Sequence, residues 1–116
     1  MTQEEPSDLA RLLRDIIFWA GRGTAHVSAH SEATFVDDPQ AADAVCWCIT
    51  CVGEAAGSIQ RRWPELKSEL DLADAYAMRN RITHGYFAVD LGIVWNVAKN
   101  YLPRLAAAAS GKLAAI

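Results

Sequence analysis

Residues 38–62 read DPQAADAVCWCITCVGEAAGSIQRR, and one long helix is predicted there from Pro39 to about Arg62. Asp38 is a favourable N-cap residue, and Pro39 suits the first helical position because its missing N–H needs no partner there. Trp63-Pro64 ends the helix, since a residue before proline disfavours helical geometry. An apolar stripe with helical spacing is expected to face the core. This stripe consists of Val45, Cys48, Ile49, Val52, Ala56 and Ile59.

Two glycines, Gly53 and Gly57, lie about one helical turn apart in this stretch. They lower helix propensity, but a helix face without side chains allows a neighbouring helix to approach closely. Glu54 lies between them in a mostly apolar segment. Two interpretations of Glu54 stay open: a solvent-facing charge, or a carboxylate held near a cation such as Arg79.

The segments on either side predict further helices. A first helix begins at Ser7 or Asp8 and is weakened at Gly21 and Gly23, and residues 24–33 continue or restart it. Together with the segments that follow residue 62, the pattern predicts an all-α, up-and-down bundle of four to five helices. We find no linker, and the chain is expected to form one domain over residues 1–116.

Two more helices are predicted in the second half of the chain. One covers about residues 71–84, with Asp71 at its start and Gly85 placed to end it. Asp90 caps the last helix, in which Pro103 is expected to introduce a kink or a break.

Composition limits the functional classes. The chain is 52% hydrophobic. Its formal net charge of −3 gives it no general attraction to nucleic acid, so an RNA contact requires a local basic patch. The acidic N-terminal residues 1–6 lack the layout of a secretory signal. The longest uncharged apolar run, Ala44–Gly53, is shorter than the ~20 residues that span a bilayer. We therefore expect a cytoplasmic protein without membrane contact.

The cysteines and two of the histidines predict no metal site and no cofactor. Cys46, Cys48 and Cys51 cluster in one helix, and on that helix Cys46 points away from the other two, so buried thiols are the favoured interpretation.

His26 and His30 are four residues apart and share a face if both are helical. A solvated pair is favoured there over a metal-binding bundle, because no third ligand is placed near them.

Reactive side chains are concentrated in Met78–Tyr86, which reads MRNRITHGY. Metal-independent RNA cleavage needs a base or acid near neutral pKa and a cation for the charge that builds on phosphorus. His84 suits the first role, and Arg79 suits the second. Arginine and histidine at a helix end are also common as surface charges that interact with the helix dipole, so the motif alone does not establish catalysis.

Helical spacing adds a geometric condition. Residues five apart are separated by roughly 140° around a helix, so Arg79 and His84 point in different directions. Asn80 and His84, four apart, share a face. One copy also supplies only one histidine of this kind. The spacing therefore predicts a homodimer in which this helix lines a shared cleft.

The segment Arg79-x4-His84-x-Tyr86 resembles the signature of HEPN-domain toxins of the HepT type. The resemblance extends over essentially the whole chain. Residues 52–56 are similar to the Gly-Glu-Ala stretch of the family's long middle helix, and residues 35–38 are similar to the segment before it. Residues 93–95 and 102–105 are similar to its last helix.

The resemblance implies a homodimeric ribonuclease that is the toxin of a HEPN/MNT toxin–antitoxin pair, with transfer RNA or messenger RNA as substrate. Arg79 and His84 would be the catalytic pair, with Asn80 and Glu54 as supporting residues. Tyr86 would be the hydroxyl to which the partner, an MntA-like nucleotidyltransferase, transfers AMP. An alternative stays open: a non-catalytic helical subunit that binds a minimal nucleotidyltransferase.

Overall fold

The computed structural model describes residues 6–116, and every regular element in that range is helical. The α-helices are α1 (Pro6–Ser28), α2 (Glu32–Val36), α3 (Pro39–Arg62), α4 (Leu66–Glu69), α5 (Ala73–Gly85), α6 (Leu91–Asn96) and α7 (Leu102–Ala115). A 3₁₀ turn covers Tyr86–Ala88, and a π-helical segment covers Val97–Tyr101. The all-α prediction is confirmed, with four principal units formed by α1, α3, α5 and α6–π–α7. The expectation of no secretory signal concerns the N-terminus, where residues 1–5 lie outside the described range.

Helix α3 lies at the centre of the bundle, between α1 and α5, and α1 packs in turn against α7. The predicted stripe on α3 is buried along its whole length. In the described part of the chain, α3 alone is long and apolar enough to cross a membrane, but 61% of its most apolar window is buried within the bundle. Its apolar character is therefore accounted for by core packing.

The boundaries of α3 follow the predicted signals. Asp38 accepts hydrogen bonds from the backbone N–H groups of Gln40 and Ala41, at 3.1 and 3.2 Å, and Pro39 is the first helical residue. The helix ends at Arg62, immediately before Trp63-Pro64. Arg62 also contacts Asp8 at 3.0 Å, which joins the end of α3 to the start of α1.

The first helix differs from the prediction at its C-terminal end. α1 continues through Gly21 and Gly23 and stops at Ser28, so a separate short helix, α2, begins after the N-cap Ser31. Gly23 is buried, and a Cβ there would lie 2.9 Å from a methyl group of Leu102. Packing against α7 therefore compensates for the low helix propensity of this glycine.

The prediction that α5 begins at Asp71 is wrong. Asp71 has a positive φ of 56° in the turn before the helix, and α5 begins at Ala73. An aspartate tolerates this left-handed geometry better than most residues. The caps expected from the sequence are therefore replaced here by a contact from another helix, described below.

The last helix is interrupted just before Pro103, where an interruption is expected. Asp90 caps α6 by accepting hydrogen bonds from Gly92 and Ile93, and the π-helical segment ends one residue before α7 begins. Proline removes a backbone donor and crowds the carbonyl four residues earlier. The wider π turn directly before Pro103 accommodates that mismatch.

Candidate active site

Two glycines bring α5 against α3 at the level of the reactive segment. A Cβ on Gly53 would lie 2.2 Å from the Cβ of Arg79 and 2.7 Å from the carbonyl oxygen of Ala75. A Cβ on Gly57 would lie 2.5 Å from the ring of Tyr76. The prediction that these glycines allow close helix approach is confirmed, and the approach places the stem of Arg79 directly on the backbone of α3.

The guanidinium of Arg79 is held on this side of α5. Its Nε donates to the carboxylate of Glu54, Nη2 forms an ion pair with the same oxygen, and Nη1 donates to the side-chain oxygen of Asn80 at 2.9 Å. The structure confirms that Glu54 lies next to a cation, and it also leaves the carboxylate 57% exposed, so both interpretations of Glu54 apply. Arg79 retains 26% side-chain exposure, so the oriented guanidinium still reaches solvent.

His84 lies in different surroundings. It is exposed and lines a cavity of about 460 Å³ together with Arg81, Gly85 and residues 88–90. Arg79 does not line this cavity. The described contacts therefore divide the predicted catalytic pair between two sides of α5, as the five-residue spacing indicates.

Tyr86 follows α5 in the 3₁₀ turn and is 41% exposed. Its hydroxyl donates to the carboxylate of Asp43 on α3. Sequence reasoning missed Asp43, although Asp43 and Glu54 are eleven residues apart and share a face of α3, since eleven residues make just over three full turns. One face of α3 therefore contacts both Arg79 and Tyr86.

Tyr101 is a second residue that sequence reasoning missed. Its hydroxyl accepts a hydrogen bond from the Ala75 N–H at 3.1 Å and donates to the Asp71 carbonyl at 2.6 Å. The N-cap residue of α5, Leu72, makes no side-chain capping bond, so Tyr101 supplies the cap from another helix. Burial raises the pKa of Tyr101 well above its ordinary value, which keeps the hydroxyl protonated as a donor.

The cysteines are packed as thiols. Cys46 and Cys48 are buried and Cys51 is half-buried, since α3 is covered on more than one side. Burial, with a smaller effect of Asp43, raises the pKa of the Cys46 thiol to about 11. Burial also raises the pKa of Cys48 and Cys51. Neutral thiols are weak metal ligands and weak nucleophiles, so these side chains act in packing.

The two histidines at the end of α1 do not share a helix face. α1 stops at Ser28, so His30 lies beyond it and contacts Thr34 at 3.1 Å and Asp38 at 3.5 Å instead. Over residues 6–116, no three His, Cys, Asp or Glu side chains come together in a metal-binding group.

An all-helical bundle with an Arg-x4-His segment at the end of α5, the fifth α-helix over residues 6–116, defines the class as a HEPN-like domain. The family model described as "Ribonuclease HepT-like" matches residues 10–110, and the chain belongs to that family. No solved structure matches the chain.

Two relatives have informative names. A protein of Thermococcus cleftensis, named "Probable ribonuclease HepT", is 30% identical over 71 residues, which cover 61% of this chain and 64% of the relative. A protein of Caldanaerobacter subterraneus subsp. tengcongensis, named "Putative RNase TTE0752", is 28% identical over 71 residues, or 61% of this chain and 63% of the relative. The matched part of the chain thus spans a little under two thirds of the length of each relative.

Proposed function

We propose that this protein is a metal-independent endoribonuclease and the toxin of a HEPN/MNT toxin–antitoxin pair. One observation carries the proposal: Arg79 is oriented by Glu54 and Asn80, while His84 is exposed at the rim of a cavity on the same helix. Family membership and the names of the relatives point to the same reaction class.

In the proposed reaction the 2′-oxygen of a ribose attacks the adjacent phosphorus, and the bond from phosphorus to the 5′-oxygen breaks. A histidine removes the 2′-hydroxyl proton, and an acid returns a proton to the leaving 5′-oxygen. Arg79 stabilises the charge that develops on the phosphoryl oxygens, since its forked donors match their geometry. Glu54 and Asn80 hold the guanidinium in place for this role.

The active form is a homodimer in which Arg79 of one copy acts with His84 of the other, since within one copy the two side chains lie on different sides of α5. The surface beside the reactive segment favours self-association. Trp47 is 60% exposed on the face of α3 that carries Asp43 and Glu54, and Phe18 on α1 is 54% exposed nearby. Burying exposed aromatic side chains of this size against a second copy would stabilise a dimer next to the cleft.

The partner in this proposal is an MntA-like nucleotidyltransferase antitoxin that adds AMP to Tyr86. The Tyr86 oxygen attacks the α-phosphorus of ATP, pyrophosphate leaves, and the phenolic proton is released. Tyr86 is exposed and two residues from His84, so the added phosphate would repel an RNA phosphate and fill the cleft. Both proteins act in the cytoplasm, where the ribonuclease cleaves transfer RNA or messenger RNA.

The test of the ribonuclease proposal uses purified protein, RNA and a metal chelator. Cleavage is expected to persist in the chelator and to fall at least 100-fold in His84→Ala, which is exposed and therefore keeps its fold. Cleavage of equal rate in His84→Ala and the unchanged protein would overturn the assignment. Expression without the partner is expected to arrest growth, and His84→Ala is expected to relieve the arrest.

The test of the modification proposal is the intact mass of the protein after co-expression with its nucleotidyltransferase. The mass is expected to rise by whole AMP units, and Tyr86→Phe is expected to abolish the rise. An unchanged mass, or a rise that persists in Tyr86→Phe, contradicts the role of Tyr86.

A second function is a helical subunit that binds a minimal nucleotidyltransferase without catalysis. The net charge of −3 favours it, since such a protein has no long-range attraction to RNA. The same chelator assay separates the two functions, because the non-catalytic subunit leaves RNA intact while still binding its partner.

A further inference from the structure

Two cavities lie along the side of α5 that Arg79 does not occupy. The first, of about 460 Å³, extends from His84 to Met78 and Arg81. The second, of about 300 Å³, is lined by the same Met78 and Arg81 and continues to Arg104 on α7. Because they share two lining residues, the cavities adjoin and form one groove along α5, which we call the Arg81 groove.

Arg81 is the cation at the junction of the two cavities. Its side chain is exposed, and no carboxylate in the described part of the chain lies within ion-pair distance of it. Arg79 in contrast is engaged by Glu54 and Asn80. A guanidinium that protrudes into a groove without an acidic partner is suited to bind an external anion such as a phosphate.

Two carboxylates also line the Arg81 groove, and each is placed at a helix start. Asp90 accepts hydrogen bonds from the N–H groups of Gly92 and Ile93 at the start of α6. Asp74 lies in the first turn of α5, where the helix dipole stabilises a negative charge. Their charges are therefore partly compensated, and the groove keeps two arginines that attract an anion, Arg81 at the junction of the cavities and Arg104 at the far end.

The walls of the two cavities differ in chemistry. Near His84 the wall is mainly apolar and is formed by Met78, Ala88, Val89 and Ile93. Its volume lies in the range of about 300–1,000 Å³ typical of small-ligand pockets, which suits a single planar base. The second cavity carries the amides of Asn96 and Asn100, which are hydrogen-bonded to each other at 2.6 Å. Such amides can bond to the edges of unpaired bases.

The amide wall includes the π-helical segment. Asn100 belongs to that segment, and Asn96 is the residue directly before it. A π turn changes the direction of side chains relative to an α-helix and is frequent at functional sites. The proline that requires the π turn thus also shapes the wall of the Arg81 groove.

We propose that the Arg81 groove binds the single RNA strand next to the cleavage point, with Arg81 on a phosphate and one base in the apolar cavity beside His84. This inference rests on the proposed ribonuclease function and adds to it a substrate-binding surface outside the Arg79–His84 pair. A single strand is required, because only an unstacked base can enter the cavity.

The first test measures the binding of a fluorescein-labelled single-stranded oligoribonucleotide to the full chain carrying His84→Ala, by anisotropy in a chelator. In that background, Arg81→Ala is expected to raise Kd about tenfold at low salt and to lower the salt slope by about one. The matched control is Arg14→Ala, an exposed arginine on α1 outside the groove, and it is expected to stay within about twofold.

The second test fills the apolar cavity without changing charge. Ala88→Trp places a ring in the cavity beside His84, while Ala107→Trp places the same ring on an exposed position of α7 outside it. Ala88→Trp is expected to weaken binding about tenfold with an unchanged salt slope, since no phosphate contact is lost. Ala107→Trp is expected to bind normally, and circular dichroism checks that both variants stay folded.

The outcomes separate the two proposals. The groove assignment is overturned if Arg81→Ala binds RNA like Arg14→Ala, or if Ala88→Trp binds RNA like Ala107→Trp. The ribonuclease proposal stands in either case if the unchanged protein cleaves RNA. If the unchanged protein neither binds nor cleaves RNA, the ribonuclease proposal fails, and the groove assignment fails with it.

Discussion

The two sides of α5 differ in how they are packed. Toward α3 the helix lies against Gly53 and Gly57, with no room for a Cβ, and Arg79 is held by a carboxylate and an amide. Toward α6 and the π segment the helix borders a groove that reaches from His84 to Arg104. The rigid side orients Arg79, one of the two proposed catalytic groups, and the open side leaves room for the proposed substrate. Because Arg79 and His84 are five residues apart, Arg79 lies on the rigid side of α5 and His84 lies on the open side.

The strongest way to disturb the rigid side is Gly53→Ala. The added methyl group would meet the Arg79 Cβ and the Ala75 carbonyl, and neither is the flexible end of a side chain, so α5 must move away. We expect a loss of about 3 kcal/mol in the free energy of unfolding, measured by urea denaturation. RNA cleavage should fall with it, because Arg79 is displaced. Unchanged stability would show that the two helices do not meet as closely as described.

The matched disturbance on the open side is Tyr101→Phe. It removes the hydroxyl that bonds the Ala75 N–H and the Asp71 carbonyl, and leaves both backbone groups without that partner. We expect a loss of about 2 kcal/mol in the free energy of unfolding. The rate of hydrogen exchange at the Ala75 amide should rise in the same variant. Normal protection of that amide would mean that α5 is capped in another way.

A smaller effect is expected from Glu54→Gln, which sharpens the role of the rigid side. Glu54 is 57% exposed, so its ion pair with Arg79 contributes little to folding, and the free energy of unfolding should change by less than about 1 kcal/mol. The rate of cleavage at saturating RNA should fall roughly 3- to 10-fold, because the guanidinium loses its orientation. A change in KM alone would assign Glu54 to substrate binding instead.

Gly21→Ala provides the baseline for these comparisons. A Cβ at this position meets no atom within 4 Å, and the residue lies in the exposed middle of α1. The higher helix propensity of alanine should increase the free energy of unfolding by about 0.5–1 kcal/mol, with cleavage unchanged. Thermal denaturation checks the sign, which is opposite to that of Gly53→Ala.

Local signals in the sequence were sufficient to predict most of the helices. Asp38-Pro39 and Trp63-Pro64 define both ends of α3, and the break at Pro103 follows from the missing backbone donor. The start of α5 could not be predicted in this way. Its cap comes from Tyr101, thirty residues further along than Asp71, and depends on packing that no local pattern encodes.

The site shows the same division between local and long-range information. Helical spacing predicted that Arg79 and His84 point apart, and the two glycines predicted the close contact with α3. Asp43 and the Arg81 groove were missed. Both require knowledge of which residues of α3, α6 and the π segment lie opposite α5. Side chains that act across helices are therefore visible only in the assembled bundle.

In the proposed homodimer one copy holds half of a site, and Arg79 of one copy acts with His84 of the other. The most direct test of this claim is a heterodimer of Arg79→Ala and His84→Ala chains, isolated through two different affinity tags and assayed for RNA cleavage. Each variant alone should be inactive, and the heterodimer should recover about half of the unchanged rate, because one of two pairings is intact. A heterodimer as inactive as its parents would contradict the claim.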